Sequence, residues 1–115
     1  GPDITVSGED EDLGAEATTS LSLVLNELAT NAVKYGAIKT EAGRLRIVLW
    51  KDADSLGIDW FETEVATPPD TTAAQGFGTK LLNRTVQSQL SGSIERNWLA
   101  DGLQLRLVVP LSRLG

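Results

Sequence analysis

"LVLNELATNAVKYGA", residues 23–37, is the stretch whose reading decides the fold. Leu21, Leu25, Leu28 and Ala32 recur at spacings of 4, 3 and 4, the stripe of a helix turned toward a core. Into the same run the sequence sets Glu27, Asn31 and Lys34. At about 100° per residue these three fall in a wedge of roughly 60°, centred about 100° from the apolar stripe. A carboxylate, an amide and an ammonium therefore sit at the edge of the core, where a helix borders a cleft. Thr18, Thr19 or Ser20 is the expected cap of this helix, which runs to about Tyr35, with Gly36 as its stop.

Upstream, "DITVS" (residues 3–7) is a strand candidate, followed by the acidic turn "GEDEDLG", whose Asp10, Glu11 and Asp12 read as a solvated loop. Downstream, Gly43 precedes "RLRIVLW", where Leu45, Ile47 and Leu49 alternate with Arg44 and Arg46 as in a half-buried strand. "KDADS" then turns the chain into "LGIDWFE", with Leu56, Ile58 and Trp60 alternating, so the pair reads as a hairpin. Residues 64–75, "EVATPPDTTAAQ", have no period, and their two prolines exclude a regular helix. A loop of that length in a compact domain tends to be a lid or a binding segment. "GFGTKLLNRTVQSQL" resumes a helical pattern through Leu82, Val86 and Leu90, ended by Ser91-Gly92. "SIERNW" and "LQLRLVVP" are two closing strands, with Asp101-Gly102 in the turn between them. This order predicts an α/β (α+β) two-layer sandwich, a mixed and mostly antiparallel sheet with helices on one face. No βαβ series with a Gly-rich first turn, internal repeat or interdomain linker is visible.

At 115 residues the chain makes one domain. It has no cysteine, which removes disulfides and thiolate metal sites and suits a reducing, cytoplasmic setting. The absence of histidine excludes a Ser-His-Asp triad, the usual zinc sites and any histidine acid–base step within this piece. A net charge of −6 argues against broad nucleic-acid binding, so an anionic ligand needs a local cationic pocket or a metal ion. No apolar run approaches the roughly 20 residues that span a bilayer. With no starting Met, Gly1-Pro2 reads as a cleavage remnant, leaving 3–115 as the domain.

Glu27, Asn31 and Lys34 form a set suited to a magnesium-bound polyphosphate: an amide oxygen for the hard cation, an ammonium for a phosphate, a carboxylate to orient or deprotonate a nucleophile. The same spacing also suits an exposed Glu-Lys helix face. Strand parity turns Glu62 to the side of Leu56, Ile58 and Trp60, where a carboxylate needs a hydrogen-bonding partner such as a ligand's exocyclic amine. A solvent-exposed strand end is the alternative. In "GFGTKLL", Gly76 and Gly78 permit close backbone approach to an anion at a helix N-terminus, with Lys80 and Arg84 adding positive charge. A tight loop-to-helix turn explains those glycines equally well.

Taken together, "NELATNAVKYG", the W-x-E at Trp60-Phe61-Glu62, "GFGTKLL" and the closing "GLQLRLVVPL" lie within residues 26–111, and the resemblance they carry extends from about residue 3 to 111. In that order they resemble the catalytic ATP-binding domain of sensor histidine kinases in the HATPase/GHKL superfamily, most of all the HWE subfamily. The resemblance implies a Bergerat fold that binds ATP and Mg2+. It makes Asn31 the metal ligand and Glu27 the catalytic polar residue. Lys34 would face the phosphates, Tyr35 would line the nucleotide pocket and Glu62 would read adenine. An ATP lid is implied at about 63–75, with Gly76, Phe77 and Gly78 as its hinge and phosphate-side turn, and Thr79 and Lys80 complete the nucleotide-binding set. The implied reaction passes a γ-phosphoryl group to a histidine on a separate dimerisation domain, in a pathway with a response regulator. Neither nucleic acid nor direct membrane contact is implied, and the isolated domain is expected to be monomeric with little turnover. Two positions depart from the pattern: Asn26 stands where HWE kinases carry their N-box histidine, and "TEVATPPD" lacks the double glycine that often follows the acidic position. An anti-sigma serine kinase, a partner-binding ATPase or a docking domain that does not use ATP are the rival readings.

Overall fold

The computed structural model describes residues 3–8, 11–35, 42–64 and 77–115. The elements follow one another as β1 (Asp3–Gly8), α1 (Ala15–Tyr35), β2 (Arg44–Lys51), β3 (Ser55–Thr63), α2 (Phe77–Gln89), β4 (Ser93–Leu99) and β5 (Gly102–Pro110), then a 3-10 turn at Leu111–Arg113. The strands form one sheet in the order β1-β2-β3-β5-β4. β1 runs parallel to β2, so α1 is the crossover between them, and the remaining pairs are antiparallel.

Alternation along β3 and β5 separates the two faces of the sheet. Leu56, Ile58 and Trp60 on β3, and Leu103, Leu105, Leu107 and Val109 on β5, are buried in one cluster. Ala17, Leu21, Val24, Leu28 and Ala32 of α1 and Leu82, Val86 and Leu90 of α2 complete that cluster, so both helices cover the same face. Each fully buried aliphatic side chain contributes about 1.5–3 kcal/mol, which makes this layer the main source of stability. Leu25, one of the four residues of the expected stripe, packs at its border, while Val24 lies at its centre.

The expected cap of α1 is corrected. The helix begins at Ala15, and Thr18 and Thr19 are inside it, their hydroxyls donating back to the carbonyls of Gly14 and Ala15 at 2.8 and 3.1 Å. Gly14 lies at the entry instead: its carbonyl accepts the Thr18 N–H at 2.9 Å, and its own N–H donates to the Leu114 carbonyl at 2.7 Å. The fully buried Leu114 thus ties the chain's end beneath the start of α1. Between β2 and β3, Asp52 Oδ1 accepts from the N–H groups of Asp54 (2.9 Å) and Ser55 (2.8 Å), the side-chain-closed turn that "KDADS" encodes. The expected stop of α1 at Gly36 lies outside the described residues.

On the outer face, Asp59 of β3 lies opposite Arg106 of β5 and accepts two bonds from its guanidinium, from Nε at 2.8 Å and Nη2 at 2.9 Å. Trp50 Nε1 donates to the same carboxylate at 3.1 Å, and Arg106 lies 5.5 Å from the centre of the Trp50 ring. Gly57 makes room for that indole, since a Cβ there would fall 1.9 Å from Trp50 Cε2. The Arg106 hydrogen bonds hold the Asp59 carboxyl below its ordinary range, against partial burial, which pushes it up. Folding lowers this pKa, so the stabilisation is complete above the ordinary value of about 3.9 and is lost as pH falls through the lower folded value. Arg106 is largely exposed, which keeps the effect small. Thermal unfolding followed from neutral pH into the acid range should show a smaller acid-induced loss of stability for Arg106→Gln than for the parent chain. An identical acid limb in both would remove the ion pair from the account of stability.

Candidate functional site

Glu62 stands at the sheet end of the site. It follows Leu56, Ile58 and Trp60 on the helix-covered face of β3 and is only 4% exposed. Its register partners, Leu45 on β2 and Leu103 on β5, are both buried apolar residues. A carboxylate in such a layer is costly unless it is hydrogen-bonded. Trp60, two residues earlier on the same face and 2% exposed, supplies a donor: its Nε1 lies 2.8 Å from Glu62 Oε2.

Gly102 fixes the backbone around this acid. It begins β5 and pairs with Leu99, so the turn proper is Ala100-Asp101 rather than Asp101-Gly102. A Cβ on Gly102 would lie 1.8 Å from the Glu62 carbonyl oxygen and 2.7 Å from its carbon, so only glycine admits this approach. β3 then ends at Thr63, and Glu64 takes a left-handed φ of 55°. Its N–H donates to Asp101 Oδ2 at 3.3 Å, and its carboxylate pairs with Arg44 Nε at 2.9 Å. Thr63, the first residue of the expected lid segment, is thus the last of the strand; residues 65–75 and Gly76 lie outside the described residues.

α1 carries the second group. Glu27 and Asn31 are half-buried on one flank of the helix, next to the buried Leu28 and Ala32. Among the described residues, neither side chain makes a hydrogen bond or ion pair. Lys34 and Tyr35 close the helix, and their side chains lie outside the described residues. Phe77, Gly78 and Thr79 form the first turn of α2, described only in their backbone, and Lys80 after them is exposed. Glu62 and the Glu27/Asn31 flank therefore border the same helix–sheet layer without bonding to one another. A neutral amide oxygen suits a hard cation, and a buried, oriented carboxylate suits an amine donor.

Two shallow cavities among the described residues lie elsewhere. One of about 280 Å³ is lined by Asp59, Glu95, Asn97, Gln104 and Arg106, and another of about 330 Å³ by Thr5, Arg44, Arg46, Phe61 and Thr63. Neither involves Glu27, Asn31 or Glu62. Among the described residues there is no group of three or more acidic side chains able to hold a metal ion. Nor is any described helix long and apolar enough to cross a membrane. Sequence reasoning passed over Trp60 as a partner for Glu62, although two residues of equal parity on one strand are neighbours by construction.

The architecture is that of the histidine kinase catalytic domain. The histidine kinase domain of an Erythrobacter litoralis blue-light-activated kinase superposes with a TM-score of 0.80 at 16% identity, covering 96% of this chain and 52% of that one. The catalytic domain of histidine kinase ThkA gives 0.71 at 16% identity, over 94% of this chain and 78% of that one. ThkA in complex with the response regulator TrrA gives the same score over 96% of this chain and 34% of that one. In sequence the chain is similar to proteins named blue-light-activated histidine kinase. It is 38% identical to kinase 1 of Erythrobacter litoralis over 94% of its own length, and 37% identical to one from Rhizobium johnstonii over 90%. It spans about 30% of the length of each of these relatives. The HWE-type resemblance agrees with them, and no protein-family model matches the chain.

The close approach at Gly102 generates a test of the backbone around Glu62. Gly102→Ala should lower stability by about 2 kcal/mol, the range of overpacking in a tight site. That is a fall in Tm of several degrees for a domain of this size. An unchanged melting temperature would show that β5 can withdraw from Glu62 without cost.

Proposed function

We propose that residues 3–115 are the catalytic ATP-binding domain of a sensor histidine kinase. The domain binds Mg-ATP and presents the γ-phosphoryl group to a histidine on a separate dimerisation domain of its parent. The β–γ phosphoanhydride bond breaks, a P–N bond forms on the imidazole, and ADP leaves. The observation that carries this reading is the buried Glu62 carboxylate on the core face of β3, since folding alone gives no reason to bury an acid there. The homology to named histidine kinases and the shared fold support it.

In this reading Glu62 accepts a hydrogen bond from the adenine amine, and Asn31 is the protein ligand of magnesium. Bound magnesium would spread the charge of the phosphates. The half-buried Asn31 amide, with no side-chain partner among the described residues, fits that role, and phosphate oxygens and water would supply the other ligands. Glu27 orients the acceptor imidazole and draws on its N–H proton. Lys34, Tyr35, Gly76, Phe77, Gly78, Thr79 and Lys80 complete the nucleotide site, and the lid is the segment at about 63–75. The domain works on the cytoplasmic side, is monomeric by itself, and belongs to a phosphorelay whose next member is a response regulator.

Calorimetry with the isolated domain should show magnesium-dependent binding of ADP, weakened about tenfold or more by Asn31→Ala and by Glu62→Ala. No binding by the parent chain at millimolar nucleotide overturns the proposal and favours a docking domain. When the histidine-bearing dimerisation segment is supplied, radiolabelled ATP should yield an acid-labile phosphoramidate. Acid-stable phosphoserine in a partner would instead make the chain an anti-sigma kinase.

A further inference from the structure

The geometry points to Trp60 as the positioning residue that sets base specificity, by fixing the Glu62 carboxylate through its indole N–H. This rests on the nucleotide reading above and adds a residue to it. Trp60 and Glu62 are two positions apart on one face of β3, and the donor–acceptor distance is 2.8 Å with both side chains buried. Burial strengthens this contact, because no water competes for either group and the acceptor is a carboxylate.

An indole is suited to the task. It donates and never accepts, so it presents one fixed polarity to the acid. Its rigid bicycle sits in the closely packed core between Ile47 on β2 and Leu105 on β5, its register partners, which leaves the N–H little freedom of direction. Glutamate, by contrast, has three rotatable bonds, and a ligand that had to order it would lose affinity. With one carboxylate oxygen held by Trp60, the acid meets the base already oriented. A carboxylate has about four acceptor positions, so the indole bond leaves capacity for an amine.

The consequence is discrimination as much as affinity. A fixed acceptor welcomes the 6-amino group of adenine and repels the 6-oxo oxygen of hypoxanthine or guanine. Releasing the carboxylate lets it swing away from an oxo group, so the penalty on the wrong base falls. A purely structural role for Trp60 would alter stability, or affinity for every nucleotide alike, without changing the ratio between bases.

The test is calorimetric titration of Mg-ADP and Mg-IDP into the parent domain, Trp60→Phe, Glu62→Gln and the double variant. Trp60→Phe should weaken ADP about tenfold and IDP by much less, narrowing the ADP-to-IDP preference, and it should add little on top of Glu62→Gln. Should Trp60→Phe fail to fold, benzothienylalanine at position 60 keeps the bicycle and deletes only the donor. An ADP-to-IDP ratio equal to that of the parent, in a folded variant of either kind, overturns the assignment. If the parent domain binds neither nucleotide, the nucleotide reading itself fails; if it binds ADP and the ratio does not move, only the role of Trp60 fails.

Discussion

A carboxylate inside an apolar layer is the constraint around which this half of the domain is arranged. Glu62 is set between Leu45 and Leu103 on the face of the sheet that the helices cover, where an aliphatic side chain of similar size would serve packing better. Its neighbours offset the cost in stages. Trp60 supplies a buried donor, and Gly102 lets the β5 backbone close against the Glu62 carbonyl. The two devices act on different parts of the residue, one on the side chain and one on the main chain. Both come from positions that the sheet register fixes, so the acid's placement is as firm as the β2-β3-β5 ladder itself.

α1 meets the opposite problem, because it serves packing and chemistry along one cylinder. The stripe of Ala17, Leu21, Val24, Leu28 and Ala32 faces the sheet, and Glu27 and Asn31 lie just off it. A flank position leaves these polar groups half-exposed, which spares them the desolvation that Glu62 undergoes. The tail of the chain stabilises the same helix from below, through the Leu114 carbonyl on the Gly14 N–H. Packing at the far end of α1 therefore holds the helix that carries the flank.

Much of this was legible because helix and strand periods leave plain marks. The order of elements, the stripe of α1 and the inward face of β3 follow from spacing alone, and parity turned Glu62 to that face while leaving an exposed strand end open, which the structure closes. What escaped depends on contacts between segments distant in the chain. Thr18 and Thr19 look like caps, yet their hydroxyls bond backward within a helix that starts earlier, because Gly14 is held by the C-terminal residues. Gly102 looks like a turn residue, and its reason for being glycine is the neighbouring strand. The Asp59-Arg106-Trp50 cluster joins three strands, so no local pattern announces it before the register is known. Of the site, Glu62 was readable by parity, Glu27, Asn31 and Lys34 by helix spacing, and Gly76, Gly78 and Lys80 by the Gly-rich helix start, whereas Tyr35, Phe77 and Thr79 were named by resemblance alone; the side chains at 34–35 and 76–79 fall outside the described residues.

The missing double glycine after Glu62 has a physical counterpart at Glu64. A left-handed φ of 55° is inexpensive for glycine and costs a non-glycine residue on the order of 1 kcal/mol. Here that conformation is held from outside: Asp101, in the β4–β5 turn, takes the Glu64 N–H, and Arg44, at the start of β2, takes its carboxylate. The ion pair is exposed at both ends and weak by itself, so the Asp101 bond and the pairing of Thr63 with Arg44 bear most of the constraint. A glycine would reach the same angle with no side chain to anchor it, and it would reach many others. Glutamate restricts the direction in which the chain leaves the sheet, two residues beyond the acid. Glu64 thus holds a conformation that glycine adopts freely, through the Asp101 and Arg44 contacts in place of backbone freedom.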